Sequence, residues 1–229
     1  MPHDTSLQRE LDRAGRVWLR GAVADPDLSD LDTAASLQSK AGQRLESSAA
    51  LRRALAPDSA LLTAIRRIDP AAYPVRVVGF NKTDGTNWGV PWHQDRVIAV
   101  ADRADCDGYG NWTRKAGVWH CEPPQQVLDA MLFVRVHLDD TGAENGAMQI
   151  ATGSHRYGIV PAKSAETTAL SCPVEVCTAK RGDVLILKML TLHCSKPSTA
   201  PGNRRVLRID FASSSLPHPL HWTKPDEGG

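Results

Sequence analysis

Three residues of this chain have the types and spacing of a metal-binding set: His93 and Asp95 within Trp92-His93-Gln94-Asp95, and His193 within Leu192-His193-Cys194-Ser195. Two imidazoles and one carboxylate, with two donors at i and i+2 and the third far along the chain, are the ligands of a facial triad, which leaves open positions on an octahedral iron(II) ion. The chemistry implied is redox chemistry at a metal that can still accept other molecules. On a strand, residues i and i+2 share a face, so His93 and Asp95 point the same way while Gln94 points away or braces from behind. The third donor must then come from a strand remote in sequence but adjacent in space. His193 suits that role, because it follows Gly182-Asp183 and the apolar run 184–187. His-x-Asp alone is a weak signal in a chain with eight His and 26 acidic residues. His120, His137, His155, His218 and His221 are rivals that spacing does not separate, and the same donors would also make a hydrolytic zinc site.

The elements that must position these donors are legible from periodicity. Up to residue 70 the pattern is mostly helical: Ser6 is placed to cap a short helix through Leu11, and Gly15 breaks it before Val17-Trp18-Leu19. Asp25-Pro26 introduces a second helix with Leu28, Leu31, Ala35 and Leu37 near helical spacing, and a third runs from Pro57 with Leu61, Leu62, Ile65 and Ile68 on one side. From 71 to 215 the period changes. Runs at 75–80, 97–100, 131–138, 147–151, 174–176, 184–187 and 206–211 are short and β-type, separated by Gly, Pro, Asn and Asp. Seven or eight such strands predict a β-sandwich or jelly roll in a single domain spanning 1–229. In the last run Leu207, Ile209 and Phe211 alternate with Arg208 and Asp210, as in a strand with one apolar face. Residues 101–124 have little periodicity and read as a long functional loop.

Composition narrows the partners. Lys+Arg 27 against Asp+Glu 26 gives a net charge of +1, so no global field attracts nucleic acid or a membrane, and a small molecule is the expected partner. The first 16 residues lack the apolar segment of a secretory signal, and no apolar run approaches the roughly 20 residues that span a bilayer. A cytoplasmic protein is expected. The five cysteines form no Cys-x-x-Cys pair and their odd number points to reduced thiols; Cys194, next to His193 on a strand, faces the other way and reads as a packed thiol.

Taken together, Trp92-His93-Gln94-Asp95, the segment from Val136 through Asp139-Asp140-Thr141-Gly142 to Met148, the turn Gly153-Ser154-His155, and Gly182-Asp183 leading to His193 and Arg204 resemble the phytanoyl-CoA dioxygenase family of Fe(II)/2-oxoglutarate oxygenases. The resemblance covers nearly the whole chain. It implies a double-stranded β-helix, a cupin-like jelly roll with helices on one sheet. It also implies His93, Asp95 and His193 as ligands of Fe(II), and Arg204, eleven residues after His193, as the partner of the far carboxylate of 2-oxoglutarate. A guanidinium fork suits that task because it pairs two oxygens at fixed geometry. Arg205 is the alternative, since only one of two neighbours on a strand points inward. Ser195 and Asn81 match family positions near the cosubstrate. Dioxygen is the third reactant, with succinate and carbon dioxide as coproducts, and ascorbate is expected to help activity in vitro.

Departures from the family pattern also inform the reading. Thr152 replaces the usual Pro before Gly153, and Arg135 stands where several relatives carry an apolar or aromatic residue. Pointing inward, Arg135 would bind an anionic group; pointing outward, it would be a solvated charge. Because Asp95 is a carboxylate, the vacancy used by related halogenases is absent, which favours hydroxylation of an unactivated C–H. Arg96, Trp112, Trp119, His120 and Arg135 are the candidate substrate contacts. No basic cluster marks an acyl-CoA pocket, so a small polar metabolite or natural-product intermediate is expected. Two other classes remain open from sequence: a jelly-roll metal sensor without turnover, and a hydrolytic zinc enzyme.

Overall fold

The computed structural model describes residues 4–36, 42–45, 47–83, 85, 87–200 and 202–225; Leu37 of the expected second helix lies outside them. Helix α1 (Thr5–Ala14) is capped by Asp4, whose Oδ1 accepts from the backbone N–H groups of Ser6 and Leu7 at 3.0 and 3.3 Å, so the cap sits two residues before the expected Ser6. The helix runs past Leu11 to Gly15, which closes it at φ +74°; a Cβ there would come within 2.5 Å of His155 Nδ1. The order continues β1 (Arg16–Leu19), α2 (Asp27–Ser36), β2 (Gln43–Arg44), α3 (Ala49–Ala54), α4 (Ala60–Arg66), β3 (Tyr73–Lys82), β4 (Val90–His93) and β5 (Ile98–Val100). Then come β6 (Gly110–Lys115), β7 (Val118–Glu122), α5 (Gln125–Asp129), β8 (Leu132–His137), β9 (Met148–Ala151), α6 (Ala165–Leu170), β10 (Val174–Val176), β11 (Val184–Lys188), β12 (His193–Ser195) and β13 (Arg204–Ala212).

The strands form a six-stranded sheet in the order β1-β11-β8-β13-β3-β2, a four-stranded sheet β10-β9-β12-β4 and a three-stranded sheet β5-β7-β6. Strands distant in sequence are neighbours in both larger sheets and every pairing is antiparallel, the double-stranded β-helix. The short β1 and β2, from the mostly helical N-terminal stretch, extend the six-stranded sheet at either side. The expected loop at 101–124 is largely a hairpin, β6 and β7, joined to β5. Its mixed composition hid the strands: Thr113, Arg114 and Lys115 alternate with nothing apolar, because β6 is an exposed edge.

Both faces of the six-stranded sheet are covered, and side-chain alternation divides its residues. Leu132, Val134 and Val136 of β8 and Leu207, Ile209 and Phe211 of β13 pack against Leu11, Leu31, Leu51, Leu61 and Ile65 on the helix side. The alternate residues turn into the space between the sheets. Phe133, Leu185 and Leu187 meet Met148 and Ile150 there, while Arg135, His137, Arg204, Arg208 and Asp210 are buried polar groups of the same strands. Each fully buried Leu, Ile or Phe stabilises the fold by roughly 1.5–3 kcal/mol, so the helix-side core provides a rigid back wall for the polar interior.

Candidate active site

His193 on β12 lies directly opposite His93 at the end of β4, and their ring centroids are 4.3 Å apart. Asp95 follows two residues beyond the end of the strand. Its Oδ2 is 3.1 Å from His193 Nε2 and its Oδ1 is 3.9 Å from His93 Nε2. One donor atom from each of the three residues lies within 4.8 Å of the others. Both imidazoles hold a backbone carbonyl through Nδ1: His93 at Pro91 O, 2.8 Å, and His193 at Thr191 O, 2.9 Å. A carbonyl can only accept, so the neutral rings carry their hydrogen on Nδ1 and aim the Nε2 lone pairs at Asp95. That is the tautomer a metal requires.

Gln94, between the two β4-side donors, turns away from them. Its amide nitrogen donates to Gly158 O and Leu190 O at 2.8 and 2.7 Å, and its oxygen accepts from Val160 N at 2.8 Å. Phe133 packs against His193 with ring centroids 5.3 Å apart. Arg208 donates from Nη1 to Asp95 and from Nε to Asp210 Oδ1 at 2.7 Å. Burial opposes ionisation of Asp95, but the Arg208 guanidinium outweighs it and holds the carboxyl well below its usual range. Burial and the neighbouring His193 push the His93 pKa down, which keeps that ring neutral and able to donate its lone pair.

The two neighbouring arginines of β13 separate cleanly. Arg205 points to the helix side and pairs with Asp139 at 2.7 Å and with Asp32 of α2 at 3.0 Å. Arg204 points inward, is 4 % exposed, and leaves Nε and Nη1 buried without a hydrogen-bond partner among the described residues. Burial pushes its pKa down to about 10. Lys82 of β3, directly across from Arg204, brings its ammonium 2.6 Å from Lys196 O and 3.4 Å from Ser195 Oγ. A Cβ on Gly146 would lie 2.9 Å from that Nζ, so the glycine makes room for the lysine. Asn81 pairs in register with Arg205 and therefore lies on the helix-side face, not with Arg204. The inward neighbour is Lys82, which the sequence reading did not single out; strand alternation from Arg204 is the signal that finds it.

Arg135 also turns inward, 8 % exposed, with Nε lacking a partner and the guanidinium carbon 6.0 Å from the Phe80 ring. Burial and then Arg204 push its pKa down to about 9. The other expected substrate contacts divide. His120 is buried on β7 and shares a face with Ala99 and Thr113, whereas Trp119 shares the opposite face with Val100 and Arg114. Trp112 meets Trp119 edge to face at 6.4 Å, so the two tryptophans pack together, away from the face of His120. Arg96 is engaged by Glu122 at 2.9 Å. Cys194 points away from His193, with Sγ 3.8 Å from Gln149 Oε1, and all five cysteines are free.

The family model for phytanoyl-CoA dioxygenase (PhyH) matches residues 4–206. The chain belongs to the phytanoyl-CoA dioxygenase family. Among solved structures, its fold resembles the epimerase SnoN in complex with Fe3+, α-ketoglutarate and nogalamycin RO, at 13 % identity and TM-score 0.68, covering 96 % of this chain and 86 % of that one. The carbocyclase SnoK from nogalamycin biosynthesis matches at 12 % identity and TM-score 0.66, over 97 % and 87 % of the two chains. HygX from Streptomyces hygroscopicus with nickel and 2-oxoglutarate bound matches at 16 % identity and TM-score 0.61, over 92 % and 87 %. At such identities the likeness is one of fold. No curated protein matches the sequence. No helix among the described residues is long and apolar enough to cross a membrane.

Proposed function

We propose that this member of the family is a non-haem Fe(II)/2-oxoglutarate-dependent dioxygenase that hydroxylates an unactivated C–H of a small-molecule substrate. One observation carries the reading: two Nε2 lone pairs and a carboxylate converge on one point, while a buried guanidinium in the same interior has no counter-charge. The first arrangement fits a divalent ion, and the second fits a carboxylate ligand, since an unpaired buried cation is costly until an anion meets it. When bound, iron, 2-oxoglutarate and dioxygen supply the oxidising power, with succinate and carbon dioxide as coproducts.

In this reading His93, Asp95 and His193 hold the metal. Arg208 keeps Asp95 ionised and orients it through one carboxylate oxygen. Arg204, with Lys82 and Ser195 beside it, binds the far carboxylate of the cosubstrate, and Arg135 adds a second guanidinium to the same interior. Retention of a carboxylate at position 95 supports hydroxylation over halogenation.

The test is an assay of candidate metabolites with Fe(II), 2-oxoglutarate, oxygen and ascorbate, following succinate and product mass together. Substrate-dependent succinate with a product that gains one oxygen atom is the expected result. Succinate without oxygen gain overturns hydroxylation but keeps the cofactor assignment. Activity with zinc in the absence of oxygen overturns both, and metal and cosubstrate binding without turnover on any candidate favours a sensor.

A further inference from the structure

Among the described residues, four arginines have their pKa lowered from the ordinary value, chiefly by burial: Arg44, Arg76, Arg135 and Arg204. All four lie on the inner face of the six-stranded sheet. Arg204 and Arg135 belong to the cosubstrate end. Arg76 lies near the start of β3, six residues from Lys82, which at strand rise places it about 20 Å along the sheet from that end. Arg44, on the edge strand β2, sits across from Val78, two positions from Arg76, while the next residue, Leu45, turns into the helix-side core.

The carboxylates at this second end are already committed. Asp210 accepts from Arg208 through both oxygens, at 2.7 and 3.2 Å, and Arg76 reaches it only at 3.6 Å. Glu122 is held by Arg96 and by Asn111. Among the described residues, Arg44 keeps a buried Nη1 with no hydrogen-bond partner, and no neighbouring charge offsets its burial. His120 lies nearby: burial and the neighbouring Arg76 and Arg44 keep it neutral, with Nδ1 on Val118 O at 3.1 Å, so the donors at this end are the two guanidinium groups. A chain of contacts, Arg76 to Asp210 to Arg208 to Asp95, links this end to the metal triad.

We propose that Arg44 and Arg76 form the substrate's anchoring subsite, and that the substrate carries an anionic oxygen group, carboxylate or phosphate, gripped there while a C–H elsewhere in the molecule faces the metal. The proposal rests on the Fe(II)/2-oxoglutarate reading and deepens it by naming the substrate class. Guanidinium pairs are suited to such oxyanions because each offers two parallel donors. The cluster escapes sequence inspection because Arg44 and Arg76 are 32 residues apart in the chain and Arg76 stands alone among apolar neighbours.

The test uses three probes of similar shape, benzoate, phenyl phosphate and the neutral benzyl alcohol, titrated into the full-length protein by ligand-observed NMR, with and without Co(II) and 2-oxoglutarate. At least one anion is expected to bind about tenfold or more tighter than benzyl alcohol, without displacing 2-oxoglutarate. Arg44→Gln and Arg76→Gln should each weaken that anion about tenfold, Arg44→Lys should recover most of the loss, and 2-oxoglutarate affinity of Arg44→Gln should stay unchanged. Which anion binds identifies the oxyanion class. Anion binding that competes with 2-oxoglutarate, that survives Arg44→Gln, or that does not exceed that of the alcohol overturns the proposal. Failure of wild-type protein to bind 2-oxoglutarate, with Arg44-dependent anion binding intact, instead overturns the cofactor reading alone.

Discussion

Arg208 donates from Nη1 to Oδ2 of Asp95, the same oxygen that lies 3.1 Å from His193 Nε2. The proposed metal ligand is thus tied to a strand that supplies none of the proposed ligands, and the tie continues to Asp210 at 2.7 Å. Replacing Arg208 by Gln removes the buried cation that, among the described residues, serves both carboxylates. We expect metal affinity to fall about 10- to 100-fold and folding stability to fall by about 3–5 kcal/mol, because two buried acids lose their counter-charge. Anaerobic Co(II) titration and thermal unfolding measure the two effects. A variant as stable and as metal-avid as wild type would show that the contact is incidental.

Arg204 carries the opposite sign for stability. Its Nε and Nη1 are buried without a hydrogen-bond partner among the described residues, so Arg204→Met should stabilise the ligand-free protein by about 1–3 kcal/mol while weakening 2-oxoglutarate about 10- to 100-fold. Metal affinity without cosubstrate should barely change. Equal losses of metal and cosubstrate binding, or a destabilised variant, would remove Arg204 from the role given to it.

How much of this was readable beforehand follows from what a one-dimensional pattern records. The triad was legible because His93 and Asp95 are neighbours on the chain and His193 follows a clear apolar strand. Choosing Arg204 over Arg205 from the sequence needed the phase of β13, and the phase was blurred because Arg208 and Asp210 stand where a purely apolar inner face would be. Asn81 was named for its match to a family position, and Lys82 escaped notice because a lysine is rarely buried; here its ammonium finds Lys196 O and the space left by Gly146. The β6 and β7 strands stayed hidden because their outward residues are polar and their inward ones are few. The pairing that sets Trp119 on the face opposite His120 is likewise invisible in the one-dimensional pattern.

Gln94 tests whether the ligand loop is braced by side-chain hydrogen bonds. Its three contacts satisfy Gly158 O, Leu190 O and Val160 N. In Gln94→Leu these backbone groups lose their partner, and a loss of about 2–4 kcal/mol is expected. Because the residue lies between two metal ligands, Co(II) affinity should fall in parallel; Gln94→Glu should restore part of the acceptor function and none of the two donations. Unchanged stability would mean that water replaces the amide without cost.

Acid sensitivity should trace to His137. Burial and the adjacent Arg135 push its pKa down to about 3, below an unfolded value of about 6.5. The unfolded chain therefore binds more protons between those pH values, and stability falls as pH drops through that window, by on the order of 4 kcal/mol in full. His137→Phe removes the titrating group from a site that already packs against Trp18 at 5.8 Å. Its unfolding free energy should vary less than wild type from pH 7 to pH 4, as read by urea titration. A wild-type slope retained in the variant would assign the acid response elsewhere.

Lys82 links pH to the cosubstrate in the basic range. Burial, followed by repulsion from Arg204 and Arg135, pushes its pKa down to about 8, against about 10.4 in an unfolded chain. Between those values the unfolded state holds more protons, so ligand-free stability should rise with pH across the window. Binding of a dicarboxylate beside Ser195 acts the other way, since its negative charge favours the protonated amine and raises the pKa. Affinity for 2-oxoglutarate should then fall as pH rises through 8, by up to about tenfold per unit, while stability climbs. Lys82→Met should flatten both slopes and bind 2-oxoglutarate at pH 7 no better than wild type does near pH 9. Calorimetric titration at pH 7, 8 and 9 separates the cases: an affinity that stays level in wild type, or a slope that persists in the variant, places the titrating group away from β3.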